Sequence, residues 1–476
     1  MSPAAVIVLA AGEGTRMKSR TSKVLHELCG RSMVGHVLAA ARELDPQRLI
    51  VVVGHRREQV IAHLESAAPD AQPVVQDRQG GTGHAVRMVH EQAGAFTGTV
   101  VVTNGDHPLL RGETLRELVR VHEEEGNAAT ILSTDIPEAT GYGRIVRADD
   151  GRVLSIVEHK DASEAQRAIH EINVGMYAFD GELLADALKC VTTDNANGEE
   201  YLTDVVAILR ADGHRAGAHK VADWVETQGV NDRVQLAQAR RQLNDRLLDQ
   251  HMRAGVTVID PRTTWVDVHV TAEPDVVLHP DTRLRGRTHL SAGAEVGPNA
   301  TLTDTEVGAD ATVVNAVCDG AEIGPEVSVG PFAYLRPGTR LGRGAKVGTY
   351  VELKNAVVGE GSKVPHLTYV GDAEIGTGSN IGAACVFVNY DGVDKHRSKI
   401  GDHVKVGSDN MIVAPVEIGD GAYTAAGSVI VNDVPPGAMA VARGRQRNIE
   451  GWVERKRAGT PAAEAARRAR EAAAEE

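Results

Sequence analysis

Short β-branched runs alternate with helix-like stretches along the first 230 positions. AAVIVLA, RLIVVVGH, QPVVQ and TVVVTNGD read as strands, while MVGHVLAAARELD, a segment opening near Arg57 and GTGHAVRMVHEQ read as the helices between them. The alternation predicts an α/β domain over residues 1–230 with a mainly parallel sheet. Ligands of such sheets gather at the C-terminal strand ends, so the loops opening at Ala10, Gln76 and Asn104 are the first places to look. Residues 231–252 then set Val234, Leu236, Leu243 and Leu247 near one stripe, with Asn231 or Asp232 able to cap the start, which predicts a connecting helix.

Beyond residue 253 the period changes. Aliphatic-Gly pairs recur at Val296, Val307, Ile323, Val329, Leu341 and Val347 and again at Ile375, Ile381, Ile400, Val406 and Ile418, with steps of six dominant between neighbours. A six-residue repeat of this kind predicts a parallel β-helix over residues 253–448, one short strand and one turn per repeat, three faces per coil. The register breaks between Val358 and Val370 and between Ile381 and Ile400, where loops are expected to leave the prism. Residues 449–476, rich in Ala, Arg and Glu, read as a frayed helix or a disordered tail.

Composition narrows the function. A net charge of −14 argues against a nucleic-acid partner, and no stretch nears the roughly 20 apolar residues of a membrane span. Cys29, Cys190, Cys318 and Cys385 are scattered without zinc or disulfide spacing, so a cytoplasmic protein of a reducing compartment is expected. Anionic substrates must then find local cations, and Arg16, Lys18, Arg20 and Lys23 stand close together near the start.

Those cations follow a glycine turn. Leu9-Ala10-Ala11-Gly12-Glu13-Gly14-Thr15-Arg16-Met17 comes off the first strand, where backbone N–H groups can approach phosphate oxygens, yet it is neither a Walker loop nor a dinucleotide fingerprint. LAAGEGTRM with SKVLH, GGTGHA and GD-x-PL together resemble the sugar-1-phosphate nucleotidyltransferases. The resemblance implies a Rossmann-like nucleotidyltransferase domain in which Leu9, Ala10, Ala11, Gly12, Gln76, Gly81 and Thr82 hold UTP and Arg16 and Lys23 meet its phosphates. It further implies magnesium on Asp106 and Asn231, and the sugar against Gly143, Glu158 and Asn173. On the residues alone, a helix cap competes for Asn231 and a solvated strand charge for Glu158.

Six-residue coils serve acyltransferases, anhydrases and inert segments alike, so the motifs that interrupt them decide more. PFAYLRPG, VELK, HLTYVGD, NIGAA, NYDG and VGSDN resemble the C-terminal half of the bifunctional N-acetylglucosamine-1-phosphate uridyltransferase/glucosamine-1-phosphate acetyltransferases. That resemblance implies a left-handed coil and His366 as the base that deprotonates the sugar amine, since imidazole titrates near ~6.5. Arg336, Lys354, Tyr369 and Asn380 would grip the acceptor sugar, amides of the NIGAA turn would stabilise an oxyanion, and Ala383, Asn389, Tyr390, Ser408, Ala426 and Arg443 would line the acetyl-CoA path. A homotrimer with small-molecule substrates is also implied. The competing reading is a single-activity nucleotidyltransferase with a structural β-helix. Three positions depart from the family: Ser22 stands in place of a proline, which is expected to loosen the phosphate loop, His107 in place of a small or aliphatic residue, and Ala384 in place of a glycine.

Overall fold

Nine strands build the sheet of the first lobe: Ala5–Ala10 (β1), Leu49–Val53 (β2), Ala71–Val75 (β3), Thr99–Asn104 (β4), Ala129–Asp135 (β5), Arg144–Arg147 (β6), Val153–Val157 (β7), Glu171–Asp180 (β8) and Ala216–Val221 (β9). The computed structural model describes residues 2–149, 151–195 and 197–475, and the chain divides into two compact units, Met1–Asp310 and Ala311–Glu476. The sheet runs β9-β5-β8-β4-β1-β2-β3. β1 is parallel to both β2 and β4, while β8 is antiparallel to β4 and β5 and carries the β6–β7 ribbon at its edge. Successive side chains of β1 serve opposite faces: Val6, Val8 and Ala10 pack with Val34, Val37 and Leu38, and Ala5 and Ile7 with Val86 and Val89. Because β1, β3 and β4 point the same way, their C-terminal loops open at one edge.

The connecting helix spans Arg233–Arg253. Asp232 caps it, its carboxylate accepting the Gln235 N–H at 2.8 Å, while the Gln235 side chain accepts the Asn231 N–H at 2.7 Å. The cap reading of Asn231 therefore passes to its neighbour, and the Asn231 side chain is left for other work. Leu236, Ala239, Leu243 and Leu248 form the buried stripe, whereas Val234 is 67% exposed. Position 234 is two residues from 236, the wrong spacing to share a helical face. Buried Asn244 joins the helix to the first coil, donating to the Thr264 carbonyl at 2.9 Å and accepting the Val266 N–H at 3.0 Å.

The coils follow the six-residue arithmetic. In the first unit Trp265, Arg283 and Thr301 stack in parallel register, an advance of three repeats per coil. In the second unit Lys346, Lys363 and Asn380 stack likewise with one residue fewer per coil, so the expected break between Val358 and Val370 is a tightened coil and no loop. Asn380 next pairs with Lys405 and Ala373 with Ser398; this longer step accommodates the inserted segment at 389–397, closed by a Tyr390–Lys395 bridge and a 2.7 Å His396–Asp391 contact. Aliphatic side chains alone do not fill the prism. Buried Thr282, Thr288 and Thr339 turn their hydroxyls onto carbonyls three residues back, at 2.7 to 2.8 Å, which pays the desolvation of each hydroxyl. The C-terminal segment forms a helix, Pro461–Glu475, with Ala463 buried and Arg470 bound to Glu454 at 3.3 Å. No described helix is long and apolar enough to cross a membrane.

Candidate functional site

At the C-terminal edge of the first sheet a cavity of about 420 Å³ opens. Leu9, Ala10, Ala11 and Gly12 wall it from β1, Gln76, Gly81 and Thr82 from the loop after β3, and Lys23, Asp106 and Asn231 line it as well. Gly14 adopts φ +62°, and a Cβ there would stand 2.6 Å from Lys23 Cβ, so this glycine lets the chain fold back over the lysine. Gln79 secures the turn by donating to the Ala11 carbonyl at 2.7 Å. The Ser22 departure does not leave the loop free: its N–H donates to Gln59 Oε1 at 2.9 Å, a bond proline cannot make, and Gln59 in turn donates to the Arg20 carbonyl at 3.1 Å.

The charges meet on one line. Lys23 Nζ contacts Asp106 Oδ2 and lies 3.1 Å from Asn231 Oδ1, while His107 Nδ1 stands 2.9 Å from Asp106 Oδ1. Burial alone would push the Asp106 carboxyl up, but the His107 hydrogen bond and the His107 and Lys23 charges hold it well below the ordinary carboxylate range. Among the described residues no three His, Cys, Asp or Glu side chains are placed to share a metal ion. Asp106 and Asn231 nevertheless turn two oxygens toward one point, and a cationic nitrogen occupies it.

Arg16 is exposed on the Thr15–Met17 turn and is not part of the cavity wall. Gly143, Glu158 and Asn173 gather with one another beside Tyr142: the Asn173 N–H donates to the Gly143 carbonyl at 2.8 Å, and Glu158 Oε1 lies 3.3 Å from the ideal Cβ position of Gly143. Burial, then repulsion from Asp161 and Asp204, raises the Glu158 carboxyl. The Asn173 side chain donates to the Tyr177 hydroxyl at 2.8 Å and accepts the Gly175 N–H at 2.9 Å. Asn104, where one of the expected ligand loops opens, lines the cavity too, and Gln79, Tyr142, Glu199 and Gly229 join it without having been singled out from the sequence. Tyr142, next to Gly143 in GYGRI, carried a local signal; the others arrive only through the fold.

In the second unit a different cluster forms on stacked coils. Asp372 receives Lys354 Nζ at 3.1 Å, Asn355 Nδ2 at 2.8 Å and the Asn389 amide. Burial would raise the Asp372 carboxyl, and these three donors more than offset it and lower it. Asp372 closes the HLTYVGD motif, and the family resemblance assigns it no role. Arg336 pairs with Glu352 at 2.9 Å, and Glu352 sits in register with Tyr369. The Tyr369 hydroxyl and Asn389 amide close over Gly371, where a Cβ would meet them at 2.4 and 2.7 Å.

His366 ends the Lys363–His366 strand, exposed, and its ring makes no hydrogen bond to a described residue. Its carbonyl accepts the Ala384 N–H at 3.2 Å, and Ala384 has φ +60°, the left-handed conformation that suits the family's glycine. Gly382 donates to the Val406 carbonyl at 2.9 Å, which leaves Ala383 as the amide of residues 382–384 without a backbone acceptor among the described residues. Ala383, Ser408, Ala426 and Arg443 follow one another up the coils: the Ala383 carbonyl accepts the Asp409 N–H at 2.7 Å, the Ser408 carbonyl the Gly427 N–H at 2.9 Å, and Arg443 Cδ reaches to 4.0 Å from the ideal Gly427 Cβ. Asn380 stacks on Lys363, and Tyr390, exposed on the inserted segment, donates its hydroxyl to the Gly392 carbonyl at 2.7 Å.

Comparison with known proteins covers nearly all of the chain. The Nucleotidyl transferase family matches residues 5–269, and the Bacterial transferase hexapeptide (six repeats) family matches residues 397–432. The bifunctional protein GlmU of Streptomyces coelicolor is 66% identical over 466 residues, 98% of this chain and 97% of that protein. The GlmU proteins of Thermobifida fusca, 65% identical over 98% of each chain, and of Corynebacterium diphtheriae, 53% identical over 98% of this chain and 97% of its own, align as fully.

Proposed function

Since this chain belongs to the family of bifunctional GlmU proteins, with a nucleotidyltransferase lobe followed by a left-handed parallel β-helix, we infer that it is a nucleotidyltransferase and an acetyltransferase in one polypeptide. It acetylates glucosamine-1-phosphate from acetyl-CoA and then joins the N-acetylglucosamine-1-phosphate to UTP, releasing pyrophosphate and UDP-N-acetylglucosamine. Residues 1–230 carry the uridylyl transfer, 231–252 the link, 253–448 the acetyl transfer, and 449–476 neither. The observation that carries the reading is the Lys23 ammonium between Asp106 and Asn231 in a cavity walled by the glycine turn.

Uridylyl transfer is in-line attack by a sugar-phosphate oxygen on the α-phosphorus of UTP, and the protein's task is to position two anions and spread the developing charge. Gly12 and its neighbours bring backbone close to the nucleotide, Lys23 from the cavity wall and Arg16 from the exposed turn that follows the glycines neutralise phosphate oxygens, and Gly143, Glu158 and Asn173 orient the sugar. Asp106 and Asn231 fit magnesium: both offer hard oxygen donors toward a point that already accepts a cation, and magnesium binds through few protein oxygens, completing its shell with phosphate and water. Bound there, magnesium would neutralise charge on the phosphates.

In acetyl transfer the His366 imidazole takes a proton from the sugar amine as nitrogen attacks the thioester carbonyl, and coenzyme A leaves as the C–S bond breaks. The free Ala383 amide is the donor available to the oxyanion. Arg336, Lys354, Tyr369 and Asn380 hold the sugar phosphate and hydroxyls; Asn389, Tyr390, Ser408, Ala426 and Arg443 follow the coenzyme. One ladder of corners supports a homotrimer. Phe332, Tyr350 and Leu367 are 51%, 58% and 61% exposed, each at positive φ, with the first two rings stacked at 5.2 Å. Bulky side chains at strained corners are costly to present to water, and a second copy of the chain would cover them. A cytoplasmic location agrees with the four cysteines, Cys29, Cys190, Cys318 and Cys385, none of which is paired among the described residues.

The test is one incubation with glucosamine-1-phosphate, acetyl-CoA, UTP and magnesium, each omitted in turn. UDP-N-acetylglucosamine should appear only in the complete mixture, and N-acetylglucosamine-1-phosphate should accumulate without UTP. Uridylyl transfer without any acetylation would select the single-activity reading. Sedimentation at micromolar concentration should return three chains per particle.

A further inference from the structure

Behind the wall of the nucleotide cavity, against the lining residue Gln76, lies a buried histidine with no assigned role. His84 is 2% exposed and sits in the first turn of the Thr82–Ala93 helix. Its ring lies so close to Gly80 that a Cβ there would meet Cγ at 2.7 Å. Its Nδ1 is 3.0 Å from the Gln76 side-chain nitrogen, and the same nitrogen is 3.0 Å from the Gly81 carbonyl oxygen.

These two contacts determine where every proton is. A peptide carbonyl only accepts, so the end of the Gln76 carboxamide that faces Gly81 is the NH₂. That NH₂ also faces His84 Nδ1, which must then be the unprotonated ring nitrogen, with the hydrogen on Nε2. Burial lowers the His84 pKa, with the Arg87 and Arg78 charges acting the same way against the opposing Glu200 and Asp77 carboxylates, and this favours the neutral ring the contact requires. The Gln76 oxygen is left with no partner among the described residues, on a side chain that lines the cavity.

We propose that His84 is a positioning residue for base selection: by accepting from Gln76 it holds the carboxamide oxygen toward the cavity, where it takes a hydrogen bond from a base that carries N3–H. Uracil carries that proton. Cytosine presents a bare N3, an acceptor against an acceptor, and is disfavoured. Gln76 touches the base; His84 acts through it. The proposal rests on the uridylyl-transfer reading above and adds a residue that reading does not use.

Two variants separate hydrogen bonding from packing. His84→Phe keeps a ring against Gly80 but has no acceptor; His84→Asn loses the ring but offers an oxygen near the position of Nδ1. The full-length protein is assayed with N-acetylglucosamine-1-phosphate and either UTP or CTP, and acetyl transfer serves as a check on folding. His84→Phe should raise KM for UTP with little change in kcat and cut the UTP-over-CTP preference in kcat/KM by about tenfold, the scale of one lost hydrogen bond. His84→Asn should keep most of the preference. Equal loss toward both nucleotides, or a preference kept by Phe and lost by Asn, would overturn the proposal in favour of packing. Should His84→Phe fail to fold, the Asn variant decides alone, retention supporting the proposal and loss overturning it. A wild-type protein that forms no UDP-sugar from UTP would instead sink the underlying activity.

Discussion

Two lysine–aspartate–asparagine clusters stand in this molecule, and they are built by opposite means. In the first unit Lys23, Asp106 and Asn231 come from three distant segments, collected by the C-terminal edge of a sheet. In the second, adjacent Lys354 and Asn355, then Asp372, then Asn389 come from three successive coils, 17 residues from Asn355 to Asp372 and 17 more to Asn389. Both aspartates are held below the ordinary carboxylate range against the opposing effect of burial. Their surroundings differ. Asp372 receives three donors that leave it fully engaged, which suits a brace for Lys354. Asp106 keeps a convergent point shared with Asn231 in an open cavity, which suits a site that trades one cation for another. The same residue types thus suit a brace at Asp372 in the repeat and an exchangeable cation point at Asp106 in the sheet.

The comparison breaks most sharply at the chemistry. His366→Ala should lower acetyl transfer by about 10³-fold, the range of a lost general base, with uridylyl transfer unchanged. Separate assays of the two products read it, and joint loss in a folded variant would contradict two independent sites. Asp106→Asn should lower uridylyl transfer by about 10²-fold, leave acetylation intact and raise the magnesium needed for half-maximal rate. A magnesium titration of the variant checks this.

The third prediction sharpens the contrast in role. Asp372→Ala leaves Lys354, Asn355 and Asn389 without their acceptor and should cost about 2 kcal/mol of stability, with a higher KM for glucosamine-1-phosphate. Since the folded-state pKa of Asp372 is depressed, its contribution is complete above the ordinary carboxylate value near ~4 and is lost as pH falls below it through the folded value. The gap in melting temperature between wild type and Asp372→Ala should therefore narrow on acidification below that point and stay constant above it. The smallest effect belongs to Ala384→Gly. Relief of a left-handed alanine at φ +60° should add about 0.5–1 kcal/mol, seen as a slightly higher melting temperature with acetyl transfer retained.

Much of the site was readable where it is local. The glycine turn carries its cations on the next residues, and Gln76, Gly81 and Thr82 fall on the two sides of one strand-to-helix loop, so motif and cavity wall coincide. Arg16 shows the limit of such reasoning: being near in sequence did not bring it to the wall. Glu199 and Gly229 show the converse, lining the cavity from segments whose own sequence says nothing of a nucleotide.

What the residue order determined by itself is periodic: the alternation that makes a sheet with helices, and the hexads whose aliphatic positions must turn inward at every third of a coil. Periodicity is local, because it follows from which neighbours along the chain can share a face. The tertiary structure alone decided which oxygen of Asp106 meets which nitrogen, that Asp232 caps the helix and so leaves the Asn231 side chain for Lys23, and that the inserted segment near Tyr390 leaves the coil while the tightened one near Val364 does not. Those outcomes depend on hydrogen bonds between positions up to 208 residues apart, and such bonds exist only after burial has brought their partners together and removed the water that would otherwise satisfy them.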